Sequence, residues 1–221
     1  MSDQPPRRTL CPACQRPASA CICSAARAVE HQVQVLILMH PQEAQHAKGT
    51  ARLLHLCLPH SRIMVGDSFA PQALADALAA PWGAPESAAR HALLLYPPTP
   101  QDPQHPMPAP PPLPAPWLER PGRLRLVVLD GTWRQSRKML WTHPALQQLP
   151  RLALRDVPPS RYAIRKAHAP HQLSTLEATQ LALQQLEPGN HGLAQLNVAM
   201  QALMALQQAY WPAARSAMLG P

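Results

Sequence analysis

Four of the five cysteines fall within thirteen residues, in the run CPACQRPASACIC, as Cys11-x-x-Cys14 and Cys21-x-Cys23. Two close pairs place four thiolates around one tetrahedral ion, and a short segment with no core of its own takes its fold from that ion. Zinc is the expected occupant, with an iron-sulfur cluster as the alternative that four thiolates also suit. Paired disulfides belong to exported chains, and the opening MSDQPPRRTL has no apolar signal core. Cys57, within RLLHLCLPH, lies on an apolar pattern and reads as a core residue.

The stretch LVVLDGTWRQSRKML, Leu126 to Leu140, runs from an apolar strand into a carboxylate, a glycine, a Thr-Trp pair and three cations. Asp130 closes the apolar run and Gly131 lets the chain turn tightly. Thr132 and Gln135 have capping-box spacing for a helix opening at Trp133. A capping box explains Thr132 and Gln135 but leaves the acid and the tryptophan unexplained. At i, i+3, i+4, i+7 spacing, Arg134, Arg137, Lys138 and Trp141 share one helix face. Such a face suits phosphates held by cations while an aromatic ring supports a base; a solvated charged face is the plainer reading.

A third cluster, SRYAIRKAHAPHQLSTLEA, runs from Ser160 to Ala178. Arg161, Arg165 and Lys166 crowd around Tyr162, and Ser174-x-x-Glu177 is a second capping box. Two basic clusters, each beside a capped helix start, favour anion handling. His168 and His171 lack a third ligand for a catalytic metal and read as solvated or RNA-facing. Twenty Lys and Arg against twelve Asp and Glu give a net charge of +8, a balance that favours polyanionic partners and most simply nucleic acid.

These residues need a scaffold. VQVLILMH reads as a buried strand ending at His40-Pro41, followed by a helix over 51–58. RIMVG is a short strand, PQALADALAA a helix opened by proline, and ALLLYP a strand stopped by prolines. Twelve prolines between Pro97 and Pro121 predict an extended surface connection, with a polyproline ligand as the alternative. RLRLVVLD, the helix from Trp133 to Trp141, the strand RLALRD, and helices over 175–186 and 193–210 complete the pattern. Strands alternating with helices imply an α/β fold, a mostly parallel sheet with helices on both faces. Ligands in such sheets bind beyond the carboxyl ends of the strands, a rim that brings together His40, Tyr96 and Asp130. The expected organisation is a zinc knuckle over 1–28 and a catalytic domain over 29–221. No apolar run approaches the roughly 20 residues a membrane span needs, so a cytoplasmic protein is expected.

The ordered set of motifs resembles the DTW-domain family, named for Asp-x-Thr-Trp, here Asp130, Thr132 and Trp133. CPACQRPASACIC, HPQE at His40 to Glu43, LLYP at Leu94 to Pro97, YAIRK at Tyr162 to Lys166 and LSTLEA at Leu173 to Ala178 follow the family pattern in order. The resemblance implies a tRNA-uridine aminocarboxypropyltransferase with a fold similar to the knotted α/β methyltransferases of the SPOUT type. It also implies S-adenosylmethionine as donor of a 3-amino-3-carboxypropyl group to uridine N3, in the variable loop of tRNA, with methylthioadenosine released.

Uridine N3 is a poor nucleophile while protonated, and Asp130 at a strand end is the candidate general base; orienting the turn is its structural alternative. From the resemblance, the donor is expected on the rim loops at Leu95, Tyr96, Leu129, Gly131, Thr132, Trp133, Ser174 and Thr175. Arg134, Arg137, Lys138, Arg161, Arg165 and Lys166 are expected on tRNA phosphates. Alignment decides which carbon of the sulfonium reacts, a step that needs no metal and leaves the zinc knuckle structural or tRNA-contacting. Three alternatives stand beside this reading: methyl transfer on the same fold, radical transfer through an iron-sulfur cluster, and a non-catalytic zinc-bearing RNA-binding or ribosome-assembly module.

Overall fold

Gln34–Met39 forms β1 and is buried along its whole length. An unbroken apolar run reads this way when both faces of a strand are covered. Val35, Ile37 and Met39 enter one core cluster, Leu36 and Leu38 the other, following the two-residue alternation of a strand. The computed structural model describes residues 9–83, 89–97, 106–162, 164 and 173–218. Arg165, Lys166, His168, His171 and the 98–105 part of the proline-rich segment lie outside the described residues.

Around β1 stand β2 (Ser61–Val65), β3 (His91–Leu95), β4 (Leu124–Asp130) and the two-residue β5 (Arg151–Leu152). The strand order is β2-β1-β4-β3-β5, with every pairing parallel. The chain also forms helices α1 (Pro41–Ala44), α2 (Ala51–Cys57), α3 (Pro71–Ala79), α4 (Ala115–Leu118), α5 (Trp133–Thr142), α6 (Pro144–Gln147), α7 (Thr175–Leu186) and α8 (Gln195–Met218). Helices α2, α7 and α8 pack with Val35, Ile37 and Val128 on one face. Helices α3, α5 and α6 pack with Leu36, Leu38 and Val127 on the other. The expected α/β architecture is thus present, with a sheet that is wholly parallel.

Several element bounds differ from expectation for local reasons. The strand read in RLALRD stops after Leu152, because only Arg151 and Leu152 have partners on β3 and Asp156 turns the chain at φ 48°. The proline-rich segment is not extended throughout: Ala115–Leu118 makes one helical turn with proline in its first positions, where the missing N–H costs nothing. His40 follows β1 and caps α1, its Nδ1 accepting the Gln42 N–H at 3.3 Å. Helix α8 runs eight residues beyond Tyr210, to Met218.

The sheet's amino end is sealed by a buried cation. Arg125 on β4 is fully buried, donates to Gln34 Oε1 at 2.9 and 2.6 Å, and donates to the Ala77 and Ala80 carbonyls of α3 at 2.7 and 2.9 Å. A guanidinium at a helix C-terminus satisfies the orphan carbonyls and complements the dipole. Trp82 covers it, the ring centroid 4.2 Å from the guanidinium carbon. Among the described residues, no helix is long and apolar enough to cross a membrane.

Candidate active site

The parallel register puts Met39 opposite Asp130 and Leu95 opposite Val128, so β1, β3 and β4 end on one rim. The His40 backbone N–H donates to the Asp130 carbonyl at 2.8 Å and fixes that rim beyond the strands. Adjacent β1 and β4 then send their chains to opposite faces, β1 into α2 and β4 into α5. A crevice opens where neighbouring connections diverge in this way.

A cavity of about 270 Å³ occupies the rim. Seven of the eight residues expected around the donor line it: Leu95, Tyr96, Leu129, Gly131, Trp133, Ser174 and Thr175. Thr132 is not among its lining residues; its Oγ caps α5 by accepting the Gln135 N–H at 3.3 Å while Gln135 Oε1 takes the Thr132 N–H at 2.7 Å. Leu152, Ala153, Leu154 and Val157 form a further wall that the motifs did not reveal. The signal was present in RLALRD, whose short strand must end on the same rim as its parallel neighbours.

Tyr96 is buried at the cavity, its ring edge-on to Trp133 with centroids 6.1 Å apart and with Arg151 5.4 Å over its face. Burial pushes its phenol above the ordinary value, against the opposing pull of a Ser136 hydrogen bond and the Arg151 and Arg137 charges. Trp133 lines the cavity and is still 56% exposed, so it forms part of the mouth. From there the outer face of α5 continues with Arg134, Arg137, Lys138 and Trp141, all exposed. Arg161 is also exposed, and its backbone N–H is tied to Glu177 Oε1 at 2.7 Å.

Asp130 is 4% exposed and does not line this cavity. It borders a narrow crevice on the other side of the β4 end, together with Arg16, Glu43, His46 and Arg52. Thr175 joins the two spaces. It lines the cavity, and its hydroxyl donates to Asp130 Oδ1 at 2.6 Å. The first turn of α7 is closed internally: Ser174 Oγ accepts the Glu177 N–H at 3.3 Å and Thr50 Oγ1 accepts the Leu176 N–H at 3.2 Å. Those amides are spent on the fold, which removes them from the anion-binding role the capping box suggested.

The four cysteines of the knuckle converge, with every pair of sulfurs within 4.8 Å. Cys11 and Cys23 stand 3.6 Å apart, Cys14 and Cys21 3.8 Å. Sulfurs held at about 2.3 Å from a tetrahedral ion are separated by roughly 3.8 Å, so the donor set fits a metal ion. Backbone N–H groups of Cys14 and Ala13 draw the Cys11 thiol down to about 6, while desolvation and the neighbouring thiols push Cys23 up to about 12, so the low value belongs to the cluster and not to one sulfur. The knuckle does not hang free. Cys14, Ile22, Ala25 and Val29 are buried in the same core cluster as α2, α7 and α8.

Fold and site together define an open parallel α/β protein with a cavity beyond its strand ends, a cationic aromatic helix at the cavity mouth and a four-thiol knuckle that could hold a metal ion. The chain belongs to the DTW-domain family, whose model matches residues 8–208. It is similar to proteins named tRNA-uridine aminocarboxypropyltransferase 2. The Drosophila melanogaster protein is 32% identical over 84% of this chain and 70% of its own length. The Macaca fascicularis and Mus musculus proteins are each 26% identical over 91% of this chain and 64% of their own length. The chain thus spans about two-thirds of these relatives. No solved structure gives a significant match.

Proposed function

We propose that this chain is a tRNA-uridine aminocarboxypropyltransferase, moving the 3-amino-3-carboxypropyl group of S-adenosylmethionine to N3 of a uridine in the tRNA variable loop, in the cytoplasm. The coarser part, aminocarboxypropyl transfer to a tRNA uridine, is the activity for which its relatives are named. The observation that carries the reading is the single hydroxyl linking cavity to acid, Thr175 on Asp130.

The cavity volume, about 270 Å³, is close to the lower bound of roughly 300 Å³ for small-molecule sites. Its largely apolar lining favours a reaction in which a sulfonium loses its charge. Bound there, the donor supplies an electrophilic carbon beside a neutral thioether leaving group. Leu95, Leu129, Leu152 and Leu154 exclude water from that carbon, and Tyr96 with Trp133 offers aromatic faces to the cation. Uridine N3 attacks the aminocarboxypropyl carbon, the C–S electron pair leaves on sulfur, and the N3 proton must go to a base. Thr175 accepts it while passing its own hydroxyl proton to Asp130, so the buried carboxylate acts as base through one relay. Arg134, Arg137, Lys138 and Arg161 hold phosphates around the mouth, with Arg165 and Lys166 assigned to the same task.

Zinc in the knuckle is structural in this reading. Sulfurs within 4.8 Å suit one tetrahedral ion better than a multi-iron cluster, whose thiolates must stand further apart. The test is incubation of the purified chain with unmodified tRNA and S-adenosylmethionine, followed by nucleoside mass spectrometry. A uridine carrying an aminocarboxypropyl group together with released methylthioadenosine is the expected product. A methyl-bearing nucleoside, or no donor binding at all, overturns the proposal.

A further inference from the structure

The carbonyls of Ala47, Lys48 and Gly49 are all engaged from outside their own loop. Arg16 of the cysteine knuckle donates through its two terminal nitrogens to Ala47 O and Gly49 O, each at 2.8 Å. Tyr162 donates its hydroxyl to Lys48 O at 2.9 Å, and Gln207 of α8 donates to Ala47 O at 2.9 Å. Arg16 therefore holds two carbonyls at once through the fixed fork of its guanidinium, a geometry that a lysine ammonium does not reproduce.

The loop so held ends in Thr50, the residue that precedes α2. Thr50 is 3% exposed and makes no side-chain cap to its own helix. Its hydroxyl oxygen instead accepts the Leu176 N–H at 3.2 Å, one of the first-turn amides of α7 that no helical carbonyl can reach. Leu176 follows Thr175, whose hydroxyl rests on Asp130 at 2.6 Å. A continuous line of contacts thus leads from the knuckle, through Arg16, the 47–50 loop and Thr50, to the hydroxyl between the cavity and the acid. Arg16 also borders the crevice that holds Asp130.

We infer that Arg16 is a positioning residue: it uses the metal-organised knuckle as a fixed point from which to set the α7 N-terminus, and so Thr175, against Asp130. Neither Arg16 nor Thr50 lines the cavity, and each acts through its neighbour. The knuckle then serves the reaction centre by geometry, without its ion entering the chemistry. The kinetic consequence rests on the proposed transferase reading, whereas the structural coupling does not.

The test compares Arg16→Ala, Arg16→Lys and Thr50→Val with the parent by metal content, by amide hydrogen exchange over residues 173–180, and by kinetics. In both Arg16 variants exchange over 173–180 rises while the metal-to-protein ratio stays that of the parent. Lysine keeps the charge but not the double grip, so it does not rescue. With transferase activity, Arg16→Ala and Thr50→Val each lower kcat about tenfold, the scale of a reacting group slightly misplaced, with KM for tRNA and donor nearly unchanged. The double variant loses no more than the single ones. Unchanged exchange over 173–180 in the Arg16 variants overturns the inference, as does loss of the metal on removing Arg16, or a fall confined to KM. Should Arg16→Ala not fold, Arg16→Lys decides the matter by the same exchange readout. Raised exchange in a chain with no activity towards tRNA upholds the coupling and sinks the transferase reading instead.

Discussion

Replacing Thr175 by valine keeps the β-branched shape at the start of α7 and removes one hydroxyl. The lost bond is short, 2.6 Å from Oγ1 to Asp130 Oδ1, and the acceptor is a carboxyl only 4% exposed, so water does not readily replace the donor. A hydrogen bond to a charged group contributes about 1.5–3 kcal/mol net. A loss near 2 kcal/mol lowers the Tm of a chain this size by roughly 4–8 °C. Urea denaturation measures it directly, as a fall in midpoint with an unchanged slope. Asp130→Asn separates the pair from its surroundings: in a double-mutant cycle the two residues show a coupling energy above about 0.5 kcal/mol. The same valine variant gives little or no modified uridine by nucleoside mass spectrometry while tRNA binding is retained. Stability within about 0.5 kcal/mol of the parent, with additive effects in the cycle, refutes the bond. Full product formation refutes the relay.

Other consequences can be measured independently. Burial pulls the imidazoles of His31 and His55 below the ordinary 6.5, so the folded state resists the proton that the unfolded chain accepts; stability is complete above about pH 6.5 and falls as the pH drops below it, read as a lower urea midpoint at pH 5.5 than at pH 7.5. Arg125→Met leaves Gln34 Oε1 and the Ala77 and Ala80 carbonyls without their buried donor and costs about 3 kcal/mol or more by urea denaturation. Removing Arg134 or Lys138, both exposed beside the cavity mouth, weakens tRNA binding and reduces the slope of log K against log salt by about one per cation; an unchanged slope assigns that side chain to bulk solvent.

Local patterns carried most of the elements. The apolar runs of β1 and β4, both capping boxes and the four-cysteine spacing depend on neighbours within a few residues, which is why they were legible. The rim was legible too, because parallel strands must end together. The wall of Ala153, Leu154 and Val157 was less so. It follows a two-residue edge strand whose extent is set by its partner on β3, not by the composition of RLALRD. The one-turn helix at Ala115–Leu118 was masked by its prolines, which a first turn tolerates.

By itself the sequence determined the parallel α/β class, the thiol set for a tetrahedral ion, the motif order of the DTW family and the cationic face of α5, because each is a matter of residue type and short spacing. Only the tertiary structure decided which way Asp130 points. Packing left its carboxyl outside the lining of the rim cavity and gave it to Thr175, 45 residues along the chain. The same holds for Arg16, whose carbonyl partners lie 31 and 33 residues away. Contacts at such separations are selected by how the layers close on one another, and no local pattern encodes them.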